Sequence, residues 1–401
     1  MTYLNAKKYL SSAPEQVGES RLTDLLALVG NPQKRIKYLR LAGSNGKTVC
    51  GQMLTAVLSK TSNKVGFLRM PIGEEPRENI LINNEAIPFA DFARLVDTVK
   101  QTLLSSDFTP TRSEIFLTVA LLAFRERNCG LVIIESDHYG NDPSLNLPSP
   151  FAAIICGTLP DSDNAEINRI RAFVSRGIEE IISAPQSANA YKEITDICYS
   201  ANCRLTLSSR NALTLKKCTF TGTDFSYKGE EYRLNVCGSF QLLNATIAIE
   251  ALEMLSRKGF EIASSAIKEG LSKLRLAAKF EVLSVSPLMI VDSTHSPSAI
   301  PTMCDTLSEF GDAVPKKVLL CLPSSALISE YKNALTARGF TISEIYSCDE
   351  SASDAILFKR NKDFVKRGLS SIDKDTVLLI SGDSRFVLPL RHELLNALGM
   401  I

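Results

Sequence analysis

Short apolar runs alternate with segments of helical period along almost the whole chain. Ile36–Leu41, Val65–Leu68, Leu131–Ile134, Ala152–Ile155, Glu180–Ser183 and Arg204–Leu207 read as strands. Between them lie helical patterns such as Phe89–Leu104 and Glu114–Arg127. That alternation predicts an α/β domain built on a mostly parallel sheet. The stretch Thr219–Cys237 has a different rhythm. Phe220, Phe225, Tyr227, Tyr232, Leu234 and Val236 alternate with polar residues around Lys228-Gly229, which predicts antiparallel hairpins on the flank of that sheet. Helices are expected over Leu242–Lys258 and Ala263–Leu274. A second α/β series begins near Pro287, with strands expected at Leu288–Asp292, Lys317–Cys321, Thr341–Ser347 and Thr376–Ile380. Glu281–Ser286 reads as a hinge, so the expected domains are residues 1–283, including the small antiparallel element at 219–237, and residues 284–401.

Length supports the division, because a chain of 401 residues exceeds what one hydrophobic core ordinarily holds. The charges nearly cancel, with 45 Lys and Arg against 44 Asp and Glu, so no electrostatic footprint for nucleic acid or an anionic membrane is expected. The opening Met1–Lys8 segment is polar rather than a basic-then-apolar leader, and no run of about twenty apolar residues suits a bilayer span. The ten cysteines are scattered, several within apolar runs, and none forms a Cys-x-x-Cys pair. They read as reduced, mostly buried thiols of a cytoplasmic protein, without the spacing of a zinc site.

The candidate chemistry lies at Gly43-Ser44-Asn45-Gly46-Lys47-Thr48. This hexapeptide follows one predicted strand and precedes a helical pattern carrying Val49, Met53, Leu54, Val57 and Leu58. A glycine loop between strand and helix aims backbone N–H groups and a helix N-terminus at one point, where an anion can sit. Lys47 adds a mobile positive charge, and the Thr48 hydroxyl can hold magnesium. Only two residues separate the glycines, against four in the usual Walker A loop, so a plain turn ending in Lys-Thr is the alternative reading.

Further along, ordered motifs resemble the folylpolyglutamate synthases, including the bifunctional dihydrofolate synthases, of the Mur-ligase superfamily. Leu28-Val29-Gly30-Asn31-Pro32-Gln33 resembles the family's opening, and the Gly43–Thr48 loop its short glycine loop. Pro71, and Glu78 within Arg77–Pro88, resemble the segment after its second strand. Ser113-Glu114-Ile115-Phe116-Leu117-Thr118 resembles its Phe-Glu-x-x-Thr helix start, and Ile133-Ile134-Glu135 its strand ending in a magnesium-binding Glu. Gln241-Leu242-Leu243-Asn244-Ala245 resembles its His-Gln-x-x-Asn-Ala motif, and Lys279-Phe280-Glu281-Val282 its interdomain linker. Asp292-Ser293-Thr294-His295-Ser296-Pro297 resembles the Asp-x-Ala-His-Asn-Pro motif, and Ser381-Gly382-Asp383-Ser384 falls near the last Gly-Ser turn.

The resemblance implies a P-loop-containing central Mur-ligase-like domain and a C-terminal Rossmann-like α/β domain. It implies an ATP-dependent ligase that joins an amino acid, glutamate in the family, to a small-molecule carboxylate through an acyl phosphate. ATP and Mg are the implied cofactors, a monomer the implied state, and neither nucleic acid nor membrane an implied partner. Lys47, Glu135 and His295 would be catalytic; Gly43, Ser44, Asn45, Gly46, Lys47, Thr48, Glu114, Gln241, Asn244, Lys279 and Asp292 would bind ATP; and Thr48 and Glu135 would hold the metal. Plainer alternatives are helix capping for Glu135, Glu114 and Asn244, a solvated charge for Lys279, and a packing or surface role for His295. His138 and His392 read as structural or surface residues. Departures from the family pattern cluster around the metal. Met70 replaces a Ser, Asp161-Ser162 an Asp-His, Ser175 a Lys, Ser296 an Asn and Lys279 an Arg. Arg69, Arg176, Asp137, Asp161 and Asp163 stand nearby as substitutes, and a non-catalytic paralogue that keeps the fold is the alternative function.

Overall fold

The computed structural model describes residues 1–15, 19–43, 45–70, 72, 75–135, 147, 150–159, 164–174, 177–293, 300–353 and 355–400. The chain divides into two compact units, Met1–Asn211 with Leu243–Leu271, and Ala212–Leu242 with Ser272–Ile401. The division falls inside the helix Phe240–Arg257.

The first unit is built on eight strands: β1 (Lys37–Ala42), β2 (Val65–Leu68), β3 (Ile80–Ile82), β4 (Glu85–Ala86), β5 (Leu131–Glu135), β6 (Ala152–Ile155), β7 (Glu180–Ser183) and β8 (Arg204–Leu207). Their order across the sheet is β4-β3-β2-β5-β1-β6-β7-β8. The six strands from β2 to β8 in that order run parallel, and β3 and β4 add an antiparallel edge. The six strands predicted for this region are those of the parallel part. The short edge pair was not foreseen, because two or three residues carry no readable alternation.

Each face of this sheet is covered. The helices Phe89–Leu103 and Arg112–Glu126 bury Phe92, Val96, Phe116 and Phe124 against Leu68, Val132 and Ile134. On the opposite face lies the helix Lys47–Leu58, most of whose residues are buried. It approaches the sheet closely at Gly51, where a Cβ would stand 2.3 Å from the Phe67 ring. On its other side Gly270 admits the Val57 backbone, with 2.6 Å between a built Cβ and the Val57 Cα. Close packing fixes this helix, and through it the loop at its N-terminus.

The second unit holds two sheets. β9 (Leu213–Thr219), β10 (Gly222–Tyr227) and β11 (Glu230–Leu234) form an antiparallel meander in the order β11-β10-β9. Lys228 and Gly229 make its tight turn with φ of 52° and 83°, the paired left-handed geometry a two-residue hairpin needs. This element groups with the second unit, whereas the sequence reading set it within residues 1–283. Its Phe220 ring lies 4.5 Å from that of Phe310, centroid to centroid.

The other sheet comprises β12 (Glu281–Val285), β13 (Leu288–Asp292), β14 (Lys317–Leu322), β15 (Thr341–Ser347), β16 (Ile356–Leu357) and β17 (Thr376–Ser381), in the order β12-β13-β17-β14-β15-β16. All neighbours are parallel except β12 and β13. Apolar clusters fill both faces, one around Leu320, Tyr331 and Leu379 and the other around Leu319, Phe364 and Val387. This is the expected Rossmann-like arrangement. The hinge read at Glu281–Ser286 is corrected: it is the edge strand β12, paired to β13 from Val285↔Leu288 to Glu281↔Val291. A partner only a turn away satisfies its backbone, and Arg391 Nε and Nη2 donate to the Glu281 carboxylate at 2.5 and 2.6 Å.

Candidate nucleotide-binding site

In an open α/β sheet, ligands bind beyond the carboxyl ends of strands, where successive connections leave in opposite directions. In the first unit, β1 sits between β5 and β6, and the chain passes from β5 to β6 across it. The glycine loop follows β1 at that point. Gly43 takes φ +103°, and a Cβ there would stand 2.1 Å from the Cys156 carbonyl oxygen. Only glycine fits. That wall is held in place because Cys156 N–H donates to the Ala42 carbonyl at 2.8 Å. The Cys156 thiol is raised well above its ordinary range, first by its hydrogen bond with Cys50 and then by burial.

Gly46, at φ +85°, is the cap of the helix Lys47–Leu58. A Cβ there would approach the Asn244 Oδ1 to 2.3 Å, so the Asn244 side chain lies directly against the loop. Asn45 is exposed, and its carbonyl oxygen lies 3.0 Å from where a Gly157 Cβ would be. Lys47 is buried, and its Nζ donates to the Gly43 carbonyl at 2.8 Å, folding the ammonium group back over the loop. Thr48 Oγ1 lies 2.9 and 3.0 Å from the two oxygens of Glu135, the last residue of β5, which is buried. The first-turn amides of the helix face outward from the same loop, a natural anion site.

A hydroxyl and a carboxylate are hard oxygen donors. Magnesium suits such a pair, since it ordinarily keeps waters and takes its remaining ligands from substrate phosphates. No group of three or more His, Cys, Asp or Glu gathers as a metal cage among the described residues. Eight of the ten cysteines are buried, and all ten are free thiols.

Gly43, Asn45, Gly46, Lys47, Thr48, Glu135 and Asn244 therefore converge within the first unit. Glu114 does not behave as expected. Its carboxylate accepts from the Thr111 N–H at 2.8 Å, the Arg21 N–H at 2.8 Å and the Ser20 hydroxyl at 2.6 Å. With Thr111 it completes a capping box at the start of the helix Arg112–Glu126. Nothing among its recorded partners belongs to the loop, so the helix-start alternative prevails over the ATP contact.

Gln241, Lys279 and Asp292 belong to the second unit. Gln241 is buried in the first turn of its helix. Asp292, at the end of β13, accepts from the Phe280 N–H at 2.6 Å, while Ser293 N–H donates to the Ala278 carbonyl at 2.8 Å. Ala278 and Phe280 both take φ of 52°, and Lys279 stands between them. Two non-glycine residues in left-handed conformation imply stored strain of about 1–3 kcal/mol each, and the Asp292 carboxylate holds it in place. Ser44, His138, Asp137, Asp161, Ser162, Asp163, Ser175, Arg176, His295 and Ser296 lie outside the described residues.

One neighbour of the site was named in the sequence only as a substitute. Arg69 follows β2 directly, and β2 pairs β5 in parallel with Leu68↔Ile134. The next step in that register sets Arg69 beside Glu135. Burial lowers the Arg69 guanidinium from its ordinary range, while the charges of Glu135 and Glu78 oppose that. Its position was hidden in the sequence because β5 lies more than sixty residues downstream of β2.

No protein-family model matches the chain. Folylpolyglutamate synthase of Lacticaseibacillus casei is 24% identical to it over 330 residues, covering 77% of each chain. The dihydrofolate synthase/folylpolyglutamate synthase of Bacillus subtilis is 25% identical over 323 residues, covering 73% of this chain and 72% of that one. Among solved structures, an FPGS complex with AMPPCP and folate superposes with a TM-score of 0.78 at 19% identity, covering 100% of this chain and 99% of that one. That likeness is one of fold.

Proposed function

We propose that the chain is a divergent member of the folylpolyglutamate synthase/dihydrofolate synthase family and, from that premise, an ATP-dependent ligase joining glutamate to a folate-type carboxylate. The observation that carries the reading is the contact of Thr48 with Glu135 at the mouth of the glycine loop. Such a pair suits magnesium, which takes one or two protein oxygens and draws its remaining ligands from substrate phosphates and water.

The reaction proceeds in two displacements. An oxygen of the acceptor carboxylate attacks the γ-phosphorus of ATP, the bond to the β,γ-bridging oxygen breaks, and ADP leaves. The glutamate nitrogen then attacks the acyl carbon, loses a proton, and expels inorganic phosphate as the amide forms. Phosphoryl transfer of this kind relies mainly on positioning and on neutralising charge. The loop amides and Lys47 grip the β- and γ-phosphates once Lys47 is drawn from the Gly43 carbonyl. Asn244 braces the loop at Gly46. Thr48 and Glu135 would hold Mg, which supplies charge neutralisation at the phosphate oxygens. Gln241, Lys279, Asp292 and His295 are the proposed nucleotide and phosphoryl contacts, with His295 the proposed catalytic group. The solved FPGS complex with AMPPCP and folate supports both the nucleotide and the acceptor class.

The protein is proposed to work as a cytoplasmic monomer on small molecules. No helix among the described residues is long and apolar enough to cross a membrane. The test is phosphate release from ATP that requires both glutamate and a folate or pteroate acceptor. Nucleotide binding without turnover across those acceptors overturns the ligase and leaves the non-catalytic paralogue. No adenine nucleotide binding at all overturns the site.

A further inference from the structure

We propose that Arg69 is a fixed cation of the phosphate site, gripping the terminal phosphoryl oxygens of a bound nucleoside triphosphate across Glu135 from Lys47. The inference rests on the nucleotide reading above and adds a residue to it. Three observations carry it.

The first is placement. Leu68, Met70, Val132 and Ile134 bury into the cluster formed with the helices Phe89–Leu103 and Arg112–Glu126. Side chains alternate between faces, so Phe67, Arg69, Ile133 and Glu135 belong to the other face, that of the helix Lys47–Leu58. Phe67 lies against Gly51 of that helix, one turn beyond Thr48. The strand order β2-β5-β1 then sets Arg69, Glu135 and the loop side by side, with adjacent strands about 4.8 Å apart. An arginine stem spans that spacing.

The second is fixation. Arg69 N–H donates to the Asn79 carbonyl at 2.9 Å, and Asn79 Nδ2 returns a bond to the Arg69 carbonyl at 3.0 Å. The guanidinium also donates to the Glu78 carbonyl. Backbone and head group are both tethered to one turn, residues 76–79, so little freedom is lost when a ligand docks.

The third is unused capacity. A guanidinium carries five N–H donors and no acceptor. The buried Arg69 Nε has no hydrogen-bond partner among the described residues. A planar fork with spare donors next to a carboxylate and a glycine loop suits a bidentate grip on phosphoryl oxygen.

Calorimetric titration of full-length wild type, Arg69→Ala and Arg69→Gln with ADP and with a non-hydrolysable ATP analogue, each with magnesium, tests this. The wild type is expected to prefer the triphosphate. Both variants are expected to lose at least ten-fold in triphosphate affinity, with ADP affinity within two-fold of wild type. Arg69→Gln keeps much of the stem, so it serves should the alanine variant fold poorly. Equal losses for both nucleotides, or no loss for either, overturn the proposal. So does intact nucleotide binding with a raised KM for the acceptor carboxylate alone. A wild type that binds neither nucleotide is a failure of the nucleotide reading itself.

Discussion

Thr48 Oγ1 stands nearly equidistant from both oxygens of Glu135, at 2.9 and 3.0 Å, and so bridges the end of β5 to the first turn of the loop helix. One hydroxyl hydrogen cannot serve two oxygens fully. A hydroxyl and a carboxylate held together offer the hard oxygen donors that magnesium takes. Glu135→Gln is expected to lower ligation turnover by about 10²–10³-fold, because the neutral amide loses the charge that would hold the metal. The apparent magnesium requirement, read by titrating turnover against the ion, is expected to rise. Unchanged turnover and magnesium dependence would reduce Glu135 to a partner for Thr48.

Gly46 and Asn244 make a second test. Gly46→Ala brings a Cβ within 2.3 Å of the Asn244 Oδ1 at φ +85°, so it both displaces the amide and strains the backbone. Left-handed geometry alone costs about 1–2 kcal/mol for an alanine. ATP-analogue affinity is expected to fall about ten-fold, and Asn244→Ala in the same chain is expected to recover part of that loss. Strict additivity of the two variants, measured by calorimetry, would mean that the amide does not brace the loop.

Glu114 separates a structural carboxylate from a ligand. Its three acceptor bonds tie Ser20, Arg21 and Thr111 to the helix Arg112–Glu126. Glu114→Ala is expected to cost about 2–3 kcal/mol in chemical denaturation, through the unpaired backbone donors and the lost cap. ADP and ATP-analogue affinities of the folded variant are expected to stay within two-fold of wild type. A selective loss of nucleotide affinity would return Glu114 to the binding site.

Asp292 is tested through the strained segment it holds. Removing the acceptor of the Phe280 N–H by Asp292→Ala is expected to destabilise the protein by about 1–3 kcal/mol. Asp292→Asn, whose Oδ1 still accepts, is expected to restore most of that stability. If Asp292 also contacts nucleotide, the asparagine variant will remain weak in ATP-analogue binding despite recovered stability; full recovery of both assigns it to the linker alone.

The strands were legible because buried strands of a parallel sheet read as short apolar runs, and Val65–Leu68, Ala152–Ile155 and Leu288–Asp292 have the predicted bounds. The glycine loop was legible for the same local reason: a strand, two glycines, Lys47-Thr48 and a helix are contiguous in sequence. Glu281–Val285 was misread because Glu281 and Ser284 interrupt its apolar residues, and its pairing with β13 completes it.

Local pattern thus determined the α/β class, most strand positions and the phosphate loop, since each depends on neighbours a few residues away. The folded sheet alone decided that Arg69 stands beside Glu135, that Asn244 supports Gly46 and that Glu114 faces Ser20 rather than the loop. Those juxtapositions follow from strand order and crossover connections. Hydrophobic periodicity carries no record of which strand becomes whose neighbour, so only close packing of the whole unit selects them.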